Sequence, residues 1–396
     1  MSLSINVDYP TDKMEKSRIR MEVYPTFRYF DRVPVNFCVV PRYFTRVFGI
    51  DYSEIFKDVS SHYYWLLQFA KYHIERIPCD FCTEPVIYIH PYFDNVIASS
   101  AFGAEVVWPK NETLQAVPTM RDVSEIEHYQ IPDPDAAICG KTIDWWLKME
   151  EMAKETKITF NGIPGKVEMA PLSLISLGPH MIAVDLIGVE FYSWMLEYPD
   201  ECHKLLEKIT RGLINIEENA RKIDPRPRGT LHMAEDTSQI MSAAMFKEFT
   251  VPYTKKLYEH FKTDVLNSRG MHMCGNSIHL HDSLVNDLQI TSFNVYGASV
   301  PPKIAARDFG GKVLLHGNID PVLILNGTKE NVKAACMEAL EAIAPAGGMM
   351  LGDGANVCPG TSIENLSMFV NASEEYSAIH PELFGSSISG SDSFRV

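Results

Sequence analysis

His272 and Cys274 flank one residue in His272-Met273-Cys274-Gly275, at the end of a short strand-like run. Successive side chains of a strand alternate faces, so an imidazole and a thiol at i and i+2 point the same way. Such a pair is half of a zinc site, because zinc is held by thiolate and imidazole in tetrahedral sets. Cys358, in a loop after a later predicted strand, is the best available third ligand for a His/Cys/Cys set. Three protein ligands would leave a fourth position open for substrate.

The elements that must position these residues follow from periodicity. The second half of the chain alternates short apolar runs with amphipathic helical patterns, the rhythm of βα units and a parallel sheet. Lys312 to His316 reads as a buried strand, and Thr328 caps a helix carrying Val332, Ala335, Ala339 and Ile343 at helical spacing. Pro345 and Gly347-Gly348 stop it; Met349-Met350-Leu351 reads as the next strand, and a last helix starts near Ser362. Upstream, Ser292 to Tyr296 reads as a strand, and a long helix after Pro199 buries Leu205, Leu206, Ile209, Leu213 and Ile216. His272/Cys274, Tyr296, His316-Gly317-Asn318 and the Asp353 to Cys358 loop thus fall at the carboxyl ends of successive strands. In a (β/α)8 barrel that end carries the active site. The expected organisation is an N-terminal helical extension over 1–75, a (β/α)8 TIM barrel over 76–380 and a flexible small-polar tail over 381–396.

Composition narrows the class. The 396 residues are 46% hydrophobic and 22% charged, with 36 basic against 51 acidic residues and a net charge of −15, which argues against a nucleic-acid or anionic-membrane surface. No apolar run is long enough to span a bilayer, and residues 1–20 do not read as a signal peptide, so a cytoplasmic protein is expected. Eight scattered cysteines do not form a disulfide framework. Cys79 and Cys82 make a lone CxxC without a second pair to complete a zinc ribbon. His279 and His281 follow the zinc motif on a predicted helix and read as ordinary surface histidines.

Four ordered motifs carry a resemblance. They are Glu235-Asp236 followed by Phe246, Pro252 and Tyr253; His272-Met273-Cys274-Gly275-Asn276; His316-Gly317-Asn318-Ile319-Asp320-Pro321; and Pro359-Gly360-Thr361 with Glu364-Asn365. In these the chain resembles the uroporphyrinogen decarboxylase superfamily, and within it the zinc-dependent, corrinoid-linked methyltransferases, from about Arg32 to Tyr376. It departs from the decarboxylases: the Gln-Ala-Gly-Arg segment that holds substrate carboxylates is missing, Pro41-Arg42-Tyr43 being a poor stand-in, and Gly352-Asp353-Gly354 replaces their Gly-His-Gly. It departs from the methyltransferases too, whose last zinc cysteine sits in a Gly-Cys-Gly where Ala355 falls here, three residues before Cys358.

The resemblance implies zinc held by His272, Cys274 and Cys358, and methyl transfer between a corrinoid protein and a small-molecule methyl donor or thiol acceptor. Glu235, or Asp236 beside it, would be a displaceable fourth ligand or would orient His272, unless the pair is a solvated loop or a helix cap. Tyr296 and Asn318 are assigned to the corrinoid, although Gly317 to Asp320 also reads as a tight turn launching a helix. His90, Tyr92, Asp94, His316 and Asp353 are assigned to the small substrate; Tyr88 to Asp94 would enclose a methylated amine by cation–π attraction or simply pack the core. A homodimer is allowed but not specified. A metal-free decarboxylase-like lyase and a non-catalytic binding protein are the alternatives.

Overall fold

The structure, a computed structural model, describes residues 3–261 and 268–385, so most of the expected tail lies outside the described residues. Strand β1 (Ser4–Val7) precedes helices Thr11–Val23, Pro41–Phe48 and Val59–Arg76, and β2 (Val86–Ile89) follows. Hairpin β3 (Glu105–Val107) and β4 (Gln115–Val117) leads to helix Ile138–Glu155 and to a second hairpin, β5 (Lys157–Phe160) and β6 (Ile163–Met169). Asn161 and Gly162 turn the latter, both at positive φ, as a two-residue hairpin requires. Strands β7 (Leu231–Ala234), β8 (Arg269–His272), β9 (Ser292–Asn294), β10 (Leu314–Ile319) and β11 (Met349–Asp353) then alternate with helices.

Strands β7 to β11 pair in parallel and in chain order. β2 pairs in parallel with β6, Leu177 beyond β6 bridges Ala234, and Val35 bridges Leu351. The staves therefore run Val35, β2, β6 and β7 to β11, a (β/α)8 barrel. The long helix Pro199–Ile223 packs on it through Leu205, Leu206, Ile209, Leu213 and Ile216, all fully buried. Side-chain caps start the last two long helices as expected: Thr328 accepts from Asn331 N and Ser362 from Asn365 N.

Residues before 75 are not a purely helical extension. β1 pairs with β5, and Val35 supplies the first stave. That stave is a single bridge beside Pro34, too short to carry a period of two. Asp80 holds it: its carboxylate accepts from Val35 N, Arg20, Arg32 and Ser17 while only 1% exposed. Burial alone would raise this carboxyl's pKa, but the Arg32 and Arg20 charges outweigh it and hold it below its ordinary value. The Cys79–Cys82 segment is therefore a clamp on the first stave. Asp80→Ala is expected to cost about 3–5 kcal/mol, the usual penalty for unpairing buried charges, measured by urea unfolding; a loss under about 1 kcal/mol would refute the clamp.

Register sorts the lumen into layers, since paired neighbours share a face. Ala234, His272, Asn294, His316 and Met350 lie side by side, with His232, Gly270, Ser292 and Leu314 one layer below. No helix among the described residues is long and apolar enough to cross a membrane.

Candidate metal centre at the barrel mouth

Strands β7 and β8 end side by side, and their last residues converge. One ligand atom each of Asp236, His272 and Cys274 lies within 4.8 Å of the others. His272 ends β8, and Cys274 follows on the same face, as the i, i+2 spacing predicts. Asp236 opens the short helical turn Asp236–Ile240 after β7. Its Oδ1 accepts from Cys274 N at 2.7 Å, and its Oδ2 lies 3.6 Å from His272 Nε2.

The donor set suits a cation. His272 Nδ1 meets the Asn294 carbonyl at 3.1 Å. A carbonyl only accepts, so Nδ1 carries the proton and the Nε2 lone pair faces Asp236 and Cys274. Burial, followed by the Asp236 charge and hydrogen bond, pushes the Cys274 thiol up to about 12. No lysine or arginine is among the groups acting on it. Two acidic groups and an imidazole lone pair fit zinc.

Gly297 makes the centre possible. It adopts φ +82, and a Cβ there would fall 2.3 Å from Gly275 O and 2.9 Å from the Cys274 carbonyl carbon. Gly297→Val must push the Cys274–Gly275 backbone away. A roughly 10- to 100-fold loss of zinc affinity is expected in a chelator competition, comparable to losing an outer-shell partner; unchanged affinity in a folded variant would refute this role.

The other sequence-derived candidates are distributed unevenly around this centre. Glu235 is fully buried and turned to other donors: Thr254 Oγ1 at 3.0 Å, Ser238 Oγ at 3.4 Å and the backbone N–H groups of His180 and Met181, which open helix Pro179–Ile187. Burial raises its pKa to about 8. It is thus a helix-capping carboxyl, and Asp236 alone of the acidic pair joins the centre. His316 links the side chain of Asn294 to the Asn36 carbonyl. Asn318 donates to Gly297 O and Val300 O, which shapes the loop carrying Gly297. Tyr296 is buried, and its hydroxyl lacks a partner among the described residues.

Asp353 is also fully buried; Oδ1 accepts from Cys38 N at 2.8 Å, and the backbone N–H of Ala355 also acts on the carboxylate. Burial pushes its carboxyl up to about 7. His90 and Tyr92 line two cavities of about 180 and 410 Å³ beyond β2, and Asp94 lines the larger. Asp94 accepts from Tyr52 OH and Leu114 N, so its carboxylate fastens the loop. The structure does not bring Cys358 into the Asp236/His272/Cys274 group. It lines a separate pocket of about 790 Å³ with Arg42, Arg46, Asp51 and Tyr52. His279 and His281 are occupied by Met241 O and by Asp308, as structural histidines. Asn294 and Gly297 were not legible as site residues: one acts through a neighbouring strand's register, the other through a contact between loops.

The uroporphyrinogen decarboxylase (URO-D) family model matches residues 87–376. The chain is 28% identical over 249 residues to a uroporphyrinogen decarboxylase of Danio rerio, covering 59% of this chain and 64% of that protein. It is also 28% identical over 211 residues to the methylcobamide:CoM methyltransferase MtaA of Methanosarcina barkeri, covering 51% and 57%. The matched stretch therefore spans less than two thirds of each of these relatives. The solved structure of a methyltransferase from Methanosarcina mazei superposes with a TM-score of 0.64 at 19% identity, over 91% of this chain and 99% of that one, which establishes the shared fold. With the match of the family model over most of its length, the chain belongs to the uroporphyrinogen decarboxylase family.

Proposed function

We propose that this chain is a cytoplasmic zinc-dependent methyltransferase that moves a methyl group between a corrinoid protein and a small thiol or other small-molecule partner. The convergence of Asp236, His272 and Cys274 at the barrel mouth carries this reading. When bound there, zinc lowers the pKa of a coordinated thiol, so that a thiolate nucleophile is present at neutral pH.

The chain's own residues prepare that chemistry. Asn294 O fixes the His272 tautomer, leaving Nε2 as a ligand. Asp236 holds the Cys274 backbone in place while remaining within ligand reach itself. His272 and Asp236 side chains are 23% and 25% exposed, so the site is open to a small molecule from the mouth. The MtaA relative supports methyl transfer and the equally identical decarboxylase relative supports a lyase, so the choice of methyl transfer rests on the Asp236/His272/Cys274 group.

The test is metal content and turnover together: about one zinc per chain, and methylation of a small thiol from methylcobalamin that stops on chelation and returns with zinc. A zinc-free protein, after zinc has been supplied, would overturn the reading.

A further inference from the structure

We infer that Met181 is a positioning residue for the metal centre: its thioether holds the backbone N–H of Asp236 and so sets where that carboxylate stands. This rests on the zinc reading above. Asp236 N donates to Met181 Sδ at 3.2 Å. The side chain of Asp236 is fixed from the other side, Oδ1 accepting from Cys274 N at 2.7 Å while Oδ2 lies 3.6 Å from His272 Nε2. The residue is thus held at both ends, by its backbone from helix Pro179–Ile187 and by its carboxylate from the loop after β8.

The end of β7 and the start of that helix form one unit. Ala234 N donates to Ser176 O at 2.7 Å, and Gly178 N donates to Ala234 O at 2.9 Å. Gly178 must be a glycine, since a Cβ there would fall 1.9 Å from Glu235 Oε1. The Glu235 carboxylate caps His180 N and Met181 N, so residue 181 is brought beside the residue that follows Glu235. Thr237 is gripped as well: its hydroxyl meets His180 Nδ1 at 2.9 Å, and its carbonyl accepts from Tyr192 OH at 2.7 Å. Of these contacts on the turn, only that of Met181 falls on Asp236 itself.

Packing alone would make Met181 an apolar filler, since it is part-buried against the core. The acceptor role is a separate property that packing does not need. A backbone N–H seeks a partner, and a thioether sulfur is a weak, uncharged acceptor that can supply one. Leucine conserves the volume and the apolar contacts but has no lone pair. In Met181→Leu the Asp236 N–H must turn to solvent, and the turn that carries the carboxylate is released on that side. Removing a group that orients a ligand weakens metal binding about 10- to 100-fold; a weak sulfur acceptor places Met181 at about 10-fold.

Two measurements on the full chain test this. In a chelator competition, Met181→Leu should bind zinc about 10-fold more weakly than wild type, and Met181→Gln, whose amide oxygen can accept in place of sulfur, should recover most of that loss. In the metal-free protein, hydrogen–deuterium exchange resolved at the Asp236 amide should be slow in wild type, faster in Met181→Leu and slow again in Met181→Gln. A residue that only fills space would show neither the faster exchange nor the rescue by glutamine. Wild-type affinity or wild-type exchange in a folded Met181→Leu overturns the inference while leaving the zinc reading intact, and so does a folded Met181→Gln as weak as the leucine variant. An Asp236 amide unprotected in the wild type overturns it without any variant. A wild type that binds no zinc overturns the zinc reading and, with it, the role of Met181 at the metal.

Discussion

Cys274→Ser and Asp236→Asn are expected to strip zinc from the protein and to reduce thiol methylation by more than about 100-fold, while Cys358→Ser keeps both metal and activity. Removing a ligand costs more than disturbing the shell that orients one, for which 10- to 100-fold is usual. The two substitutions differ in a way that identifies the site. Cys274→Ser removes a thiolate but leaves the Asp236 carboxylate facing His272 Nε2. Asp236→Asn removes negative charge while its amide oxygen still accepts from Cys274 N, so the fold is kept and only the ligand is lost. Cys358 lies in the pocket with Arg42 and Arg46, outside the group of three. Metal analysis of the three variants decides: zinc retained in Asp236→Asn but lost in Cys358→Ser would exchange their roles.

Those roles mark where the sequence stopped being legible. Strand alternation is a local rule, so His272 and Cys274 could be aimed at one point before any fold was known. Helix starts were legible for the same reason, Thr328 and Ser362 needing only a neighbour three residues on. The choice between Glu235 and Asp236 was not local. Glu235 is drawn off by the helix opening at Pro179 and by Thr254, and only the fold brings those donors near. Cys358 was chosen as the available thiol in a loop at the right end of the barrel, and residue type and loop position do not determine which side chain returns to the barrel axis. Val35 escaped because one bridge carries no periodicity, and Asn294 because its carbonyl acts across a strand pair.

Stability of the metal-free protein should peak near pH 6.5 and fall towards acid, with His62 a main contributor. His62 is fully buried, stacked on Phe93 at 5.7 Å and against Trp145 at 4.9 Å. Nδ1 donates to Ile55 O at 2.6 Å, while Nε2 accepts from Tyr92 N at 3.0 Å. A proton on Nε2 would face the Tyr92 N–H, and burial already disfavours the charge, so the pKa falls to about 4. Burial likewise lowers His73 to about 4, His180 to about 3 and His232 to about 4. A histidine depressed below its unfolded value adds stability that is complete above about pH 6.5 and is lost as pH falls through the folded value. Each costs about 1.4 kcal/mol per pH unit across that window, roughly 5 kcal/mol for four between pH 6 and 5. Glu235 at about 8, Asp353 at about 7 and Asp185 at about 6 act oppositely, because raised carboxyls stabilise the fold at low pH and weaken it as they ionise. They offset about three quarters of the acid loss, and Glu235 and Asp353 account for the decline above neutrality. The net slope, about 1–2 kcal/mol per unit, is measurable against a total of about 5–15 kcal/mol. Urea titrations from pH 5 to 8, followed by tryptophan fluorescence, measure the slope. His62→Gln should lower stability at pH 7 and flatten the acid limb by about one proton. An acid limb of unchanged steepness in that variant would mean His62 is not among the groups that must charge when the protein unfolds.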